Sequence, residues 1–254
     1  MSILKATTVR KVYGGGLNHA ETVALNNVDI YVDKGEFVSV MGPSGSGKST
    51  LLNILSGFDY ATSGEVVINE TNITAMEPDR LAIFRRANIG YVFQEYNLLD
   101  SLTIKENIML PMILDNRDIV QMQQKADDLL ALLGISEIKE KRPFSVSGGQ
   151  QQRAAIGRAL INDTAILFAD EPTGNLDSKA SRVVLHNFLK MNKERSITIL
   201  MVTHNPYAAS FSDRVLFLQD GNIKTQLYKK DDQEDFFQQI LDNLAALEER
   251  SYDF

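Results

Sequence analysis

Residues 42–50 read Gly-Pro-Ser-Gly-Ser-Gly-Lys-Ser-Thr, and no other stretch of the chain restricts the possible folds so tightly. The spacing satisfies G-x-x-x-x-G-K-[ST], a loop whose glycines bend the backbone until consecutive N–H groups converge on phosphate oxygens. Such a loop is delivered by a strand and received by a helix, whose positive N-terminal end completes the anion site. Both neighbours are legible here: residues 37–41 form a short apolar run, and 48–56 reads as a helix. Strand, loop, helix is the order of a parallel α/β core. Gly42, Gly45 and Gly47 are the bending positions, and Ser44, Ser46 and Thr50 belong to the same phosphate-binding set. Lys48 is placed to reach β- and γ-phosphates, and the Ser49 hydroxyl to bind Mg²⁺. The bland alternative is a Gly/Ser-rich turn that matches by chance, but it does not explain the flanking strand and helix.

A phosphate loop needs a metal partner, and residues 165–171 offer one. They read Ala-Ile-Leu-Phe-Ala-Asp-Glu. A buried strand ending in Asp170 places a carboxylate where it can hold Mg²⁺ through water, and Glu171 follows as a group able to polarise an attacking water. Taken alone, the segment fits an ordinary acidic turn before Pro172 and Gly174 equally well. Further strands are expected at 4–9, 27–32, 89–93 and 197–202. Residues 215–218 and 223–227 flank Gln219-Asp220-Gly221-Asn222, a hairpin signal. Between 94 and 145 the pattern turns helical; 119–133 is rich in Gln, Leu, Met and Ala, with Gly134 as its stop. A polar loop is expected from Gly14 to Glu21.

Residues 146–150 read Val-Ser-Gly-Gly-Gln. With this segment the chain resembles an ATP-binding-cassette ATPase over residues 4–227. The resemblance rests on an order of six elements: phosphate loop, Gln94 at a strand end, Val146–Gln150, the 165–171 strand, Asn175-Leu176-Asp177, and His204 after a strand. Val146 replaces the usual Leu of the signature, one apolar residue for another. The family resemblance implies an α/β phosphate-loop NTPase core with an antiparallel β subdomain and an inserted helical subdomain at about 95–146. The nucleotide-binding domain would then span 1–230. It further implies that two such domains bind head to tail, trapping two ATP molecules between them. Each ATP would sit on one chain's phosphate loop and be covered by Ser147, Gly148, Gly149 and Gln150 of the other. Gln94 would contact Mg²⁺ and the attacking water, His204 the γ-phosphate, and Asp177 would couple the two sites. Tyr13 matches the position whose ring stacks on adenine. Without the resemblance, His204 reads as a surface histidine and Tyr13 as a half-buried strand tyrosine.

Residues 93–107 and 172–177 resemble the branch of macrolide exporters, lipoprotein-release systems and cell-division ATPases. Asn97-Leu98-Leu99-Asp100, Met201-Val202-Thr203-His204 and Phe236-Phe237-Gln238 look most like ATPases of peptide-antibiotic resistance transporters, the bacitracin and lantibiotic type. Asn175 is a departure, since bacitracin-type relatives often carry Ala there. The partner so implied is an integral-membrane permease, with the ATPase on the cytoplasmic face of the membrane. A chromosome or repair ATPase would need a long coiled-coil insertion between Gln94 and Ser147, and a translation factor would need two cassettes.

Charge and composition agree with these exclusions. The chain has 254 residues and net charge −7; residues 231–254 hold eight acidic side chains and only Arg250 as a base, so the body sums to zero. That leaves no basic footprint for nucleic acid. Cysteine is absent, which removes disulfides and Cys-based zinc sites and fits a reducing cytoplasm. No apolar run approaches the ~18 residues of a membrane span, and the opening residues contain no apolar core of signal-peptide length. Residues 232–252 read as an amphipathic helix, with Phe236, Phe237, Ile240, Leu241, Leu244 and Leu247 on one face. This acidic helix is expected to dock on the body, and to be dispensable for ATP binding because every nucleotide motif precedes it.

Overall fold

A computed structural model describes residues 1–14, 20–230 and 232–249; the centre of the loop expected after Gly14, residues 15–19, and the chain end at 250–254 lie outside the described residues. The chain divides into two units, Met1–Met76 with Thr198–Phe254, and Glu77–Ile197.

The first unit opens with β1 (Ser2–Tyr13) and β2 (Thr22–Asp33), an antiparallel pair. Both run well past the expected 4–9 and 27–32. The reason is bulging: Thr8 and Asn27 hold φ of 48° and 52°, and the register slips between Ala6 and Val9. An extra residue at a bulge breaks the period-two alternation while the strand continues. Next come β3 (Phe37–Met41), buried throughout, and α1 (Lys48–Leu55). β4 (Ser63–Ile68) and the short β5 (Thr71–Asn72) complete a four-stranded antiparallel sheet in the order β2-β1-β4-β5.

The second unit is mostly helical. α2 (Pro78–Asn88) leads into β6 (Ile89–Val92). α3 (Ile104–Leu114) begins on a reciprocal cap between Thr103 and Glu106, and α4 (Ile119–Leu132) on Asp118. Gly134 takes φ 64° just beyond α4, the left-handed stop that glycine tolerates best. α5 (Gly148–Leu160) follows, then β7 (Ile166–Asp170), parallel to β6, and α6 (Ser178–Arg195), capped by Asp177. α5 presents Ala154, Ala155 and Gly157 to the interior. A methyl at Gly157 would press within 3.2 Å of Ile108 and Leu133, so α3 and α5 pack closely because that position is bare.

The chain then completes the first unit with β8 (Thr198–Val202), the short α7 (Pro206–Ala209), β9 (Arg214–Gln219), β10 (Asn222–Tyr228) and α8 (Gln233–Glu249). β3 lies between β8 and β9, parallel to both, and β9 turns back into β10. The turn residues Asp220 and Gly221 hold φ 48° and 69°, the conformation that a two-residue hairpin favours. α8 docks by its apolar face, burying Phe236 and Ile240 against Met41, Ala209, Val215 and Phe217. No described helix is long and apolar enough to cross a membrane.

Candidate functional site

In the first unit the phosphate loop leaves β3 at Met41 and enters α1 at Lys48. Gly42 passes flush against β9: a Cβ there would fall 1.9 Å from the Leu218 carbonyl oxygen. Gly47 starts α1 at φ 102°, and a Cβ there would meet the Ala24 carbonyl at 2.4 Å. Two of the motif's glycines are thus demanded by backbone contacts, independent of any ligand. The loop braces itself further through Ser46 N–H to the Pro43 carbonyl at 3.3 Å and Gly221 N–H to the Ser46 carbonyl at 3.1 Å. Lys48 Nζ donates to the carbonyls of Gly42, 2.9 Å, and Pro43, 2.8 Å. Ser46 Oγ is buried and has no hydrogen-bond partner, a polar atom poised for one. α1 starts without a side-chain cap and without an acidic residue in its first turn, so the chain leaves its positive end for an anion.

Two more expected residues belong to this unit. Thr203 N–H donates to the Val40 carbonyl at 3.1 Å, which sets His204 just past the strand neighbouring the one that feeds the loop. Asn205 Oδ1 then caps α7 through Tyr207 N–H at 2.9 Å. Tyr13 ends β1 with 43% of the residue exposed, and its hydroxyl donates to Asp59 Oδ2 at 2.8 Å.

The second unit gathers the acidic and amide groups. β6 and β7 run parallel with Val92 opposite Ala169, so Gln94 and the pair Asp170-Glu171 emerge from the same end of these strands. Gln94 and Asn175 bond each other twice: Nε2 to Asn175 Oδ1 at 3.5 Å, and Asn175 Nδ2 to the Gln94 carbonyl at 3.3 Å. Glu171 holds φ 43°, a left-handed conformation uncommon for a glutamate. Burial, and then the nearby Asp170 carboxylate, push the Tyr91 phenol above its ordinary pKa.

Ser147 caps α5, its Oγ accepting from Gln150 N–H at 3.3 Å while Gln150 Oε1 accepts from Ser147 N–H at 3.0 Å. Gln150 therefore closes the cap from inside the chain. Gly148 and Gly149 are packed tightly: a Cβ on Gly148 would meet the Tyr96 hydroxyl at 2.7 Å, and one on Gly149 the Ala180 Cβ at 2.9 Å. Asp177 likewise has a local duty, accepting from Ala180 N–H at 2.8 Å to cap α6.

Sequence reasoning missed three side chains that hold these segments in place. Arg158 on α5 donates to the carbonyls of Tyr96 and Asn97, residues at φ 61° and 50° in the stretch after Gln94. The buried Gln152 donates from Nε2 to the Pro172 carbonyl at 2.8 Å and the Phe93 carbonyl at 3.4 Å, fastening the segments beside Glu171 and Gln94 to one helix. Tyr96 is the third, lying over Gly148. No sequence pattern marked Gln152 or Arg158, because their partners are backbone carbonyls remote in sequence.

A parallel β core whose central strand runs through a glycine-bent loop into an uncapped helix, with an Asp-Glu pair at a strand end, defines a phosphate-loop ATPase. The model of the ABC transporter family matches residues 25–174. The chain belongs to that family and is an ATP-binding, ATP-hydrolysing subunit of the ABC transporter type. It is 47% identical over 248 residues to the bacitracin export ATP-binding protein BceA of Halalkalibacterium halodurans, covering 97% of each chain. It is 45% identical over 247 residues to the uncharacterized ABC transporter ATP-binding protein YvcR of Bacillus subtilis, covering 97% of this chain and 95% of that one. Among solved structures, the dimeric post-hydrolysis ATP-binding cassette MJ0796 bound to ADP and Pi superposes with TM-score 0.81 at 39% identity, over 90% of this chain and all of that one.

Proposed function

We propose that this chain is the cytoplasmic motor of a peptide-antibiotic resistance transporter, acting as a pair of copies that drive one membrane permease. The observation that carries the reading is the end-to-end similarity to a bacitracin export ATPase, which extends through the acidic tail and is not confined to the nucleotide motifs. Lys48 and the N–H groups of 42–50 hold the triphosphate, Tyr13 stacks on the base, and Ser147 with Gly148 and Gly149 caps the γ-phosphate of the partner copy's ATP. Glu171 takes the proton of the attacking water, with Gln94 and His204 fixing that water and the γ-phosphate. The hydroxyl of Ser49, the amide oxygen of Gln94 and the carboxylate of Asp170 are hard oxygen donors that suit Mg²⁺, which prefers a few protein oxygens supplemented by water and phosphate. When bound, Mg²⁺ supplies positive charge to the β- and γ-phosphate oxygens. Nucleotide domain and tail helix divide at about residue 230.

The test is reconstitution. The ATPase is co-purified with the permease encoded beside it and placed in lipid vesicles. Addition of bacitracin or a lantibiotic is expected to change the rate of ATP hydrolysis. A complex that hydrolyses ATP but responds to neither peptide, and responds instead to a macrolide or a lipoprotein, overturns the substrate class.

A further inference from the structure

Lys11, Tyr13 and Asp59 form a closed triangle at the end of β1. Tyr13 Oη donates to Asp59 Oδ2 at 2.8 Å, and Lys11 Nζ donates to Asp59 Oδ1 at 2.7 Å. The same Lys11 ammonium stands 4.7 Å from the centroid of the Tyr13 ring, within cation–π range. It also donates to the Tyr60 carbonyl at 2.7 Å, and its side chain is only 12% exposed. Asp59 accepts a third bond, from Tyr60 N–H at 2.7 Å. Val12 N–H donates to Thr62 Oγ1 at 3.0 Å, so residues 59–62 are fastened along the end of β1.

The charges reinforce this geometry. Burial works to raise the Asp59 pKa, but the bonds from Lys11, Tyr13 and Tyr60 outweigh it and hold the carboxyl below its ordinary value. Burial and the Asp59 bond push the Tyr13 phenol up, so it stays a donor. A ring with a cation on one face and its hydroxyl bonded to a fixed carboxylate is held in one orientation. With 43% of the residue exposed, Tyr13 keeps surface for a planar ligand.

We propose that Lys11 and Asp59 are positioning residues for the nucleobase: they fix the Tyr13 ring as a rigid platform and so set the affinity for ATP without touching it. The inference rests on the reading that Tyr13 stacks on the base. Stacking alone tolerates any base and any tilt of the ring. Pre-orienting the ring removes the cost of ordering it when the nucleotide arrives.

The experiment compares binding of ATP with binding of inorganic tripolyphosphate by titration calorimetry on the full chain. Tripolyphosphate offers the same anionic groups and no base. Tyr13→Ala is expected to weaken ATP about tenfold, the scale of one aromatic–base stack. Asp59→Ala is expected to weaken ATP about three- to tenfold and to leave tripolyphosphate unchanged. In the Tyr13→Ala background Asp59→Ala adds nothing further, because its effect passes through the ring. Asp59→Asn, which still accepts from the phenol, recovers part of the loss. Tyr13→Phe removes only the hydroxyl at an exposed site, folds normally, and is expected to behave like Asp59→Ala. The proposal fails if Asp59→Ala weakens tripolyphosphate as much as ATP, or if its effect adds fully to that of Tyr13→Ala. It also fails if Tyr13→Ala matters and Asp59→Ala does not, which leaves stacking intact. If Tyr13→Ala leaves ATP binding unchanged, stacking itself is wrong and the proposal falls with it.

Discussion

Glu171 combines the group proposed as the general base with a backbone φ of 43°. Left-handed conformations cost a non-glycine residue on the order of 1 kcal/mol or more, and asparagine tolerates them best. Glu171→Asn is therefore expected to unfold at a denaturant midpoint no lower than that of the unmodified chain. ATP hydrolysis should fall by roughly 100-fold or more, the usual contribution of a positioned base. Chemical denaturation and phosphate release measure the two halves of this statement; a large loss of stability with hydrolysis intact would reverse the assignment. Glu171, Asp170 and Lys48 were readable because each stands at a fixed offset within a short motif. Arg158 and Gln152 were not. Their partners, the carbonyls of Tyr96, Asn97, Phe93 and Pro172, are remote in sequence, and a backbone carbonyl carries no residue-type signal. The capping roles of Ser147 and Asp177 are legible in the helix-start pattern, where each precedes its helix.

Among the elements, α8 docks on the body by the apolar face its spacing predicts. Phe236 and Ile240 are fully buried, and one of the side chains they cover is Met41, immediately before Gly42. α8 also reaches α7, with Gln233 Nε2 donating to Ser210 Oγ at 2.9 Å and the rings of Tyr207 and Phe237 meeting edge-on. Phe236→Ala should cost about 3 kcal/mol, the range for removing a buried phenylalanine. Truncation after Lys230 should cost more. ATP binding by the molecules that remain folded should persist, because among the described residues α8 bonds no group of the phosphate loop. Thermal unfolding with and without ATP separates these outcomes; a truncated chain as stable as the full one would show that the packing contributes little. Strands β3, β7 and β8 were legible because runs such as Thr198–Val202 are apolar throughout. α2 was not, since only Leu81 is buried and the helix has almost no apolar stripe. α6 did carry its signal, with Val184, Leu185, Phe188 and Met191 at helical spacing.

At the scale of the whole molecule, the proposed sandwich joins Lys48 of one copy to Ser147 of another through ATP. Glu171→Gln keeps the size of the side chain but removes the base, so it should hold ATP uncleaved and show an ATP-dependent dimer by light scattering that ADP does not support. Ser147→Asp is the sharper companion. Aspartate caps helices as well as serine does, so α5 should stay capped while a negative charge faces the γ-phosphate. The doubly substituted chain should be a folded monomer that still binds ATP; a dimer surviving in it would remove the signature from the interface. Lys48 Nζ already rests on the carbonyls of Gly42 and Pro43. A phosphate that recruits this ammonium exchanges one set of oxygen acceptors for another, and only the difference between the two sets appears as affinity. On hydrolysis the same carbonyls stand ready to take the ammonium back. In the proposed sandwich these carbonyls compete with the spent nucleotide for the ammonium, as a competitor built into the loop and always present at the same local concentration.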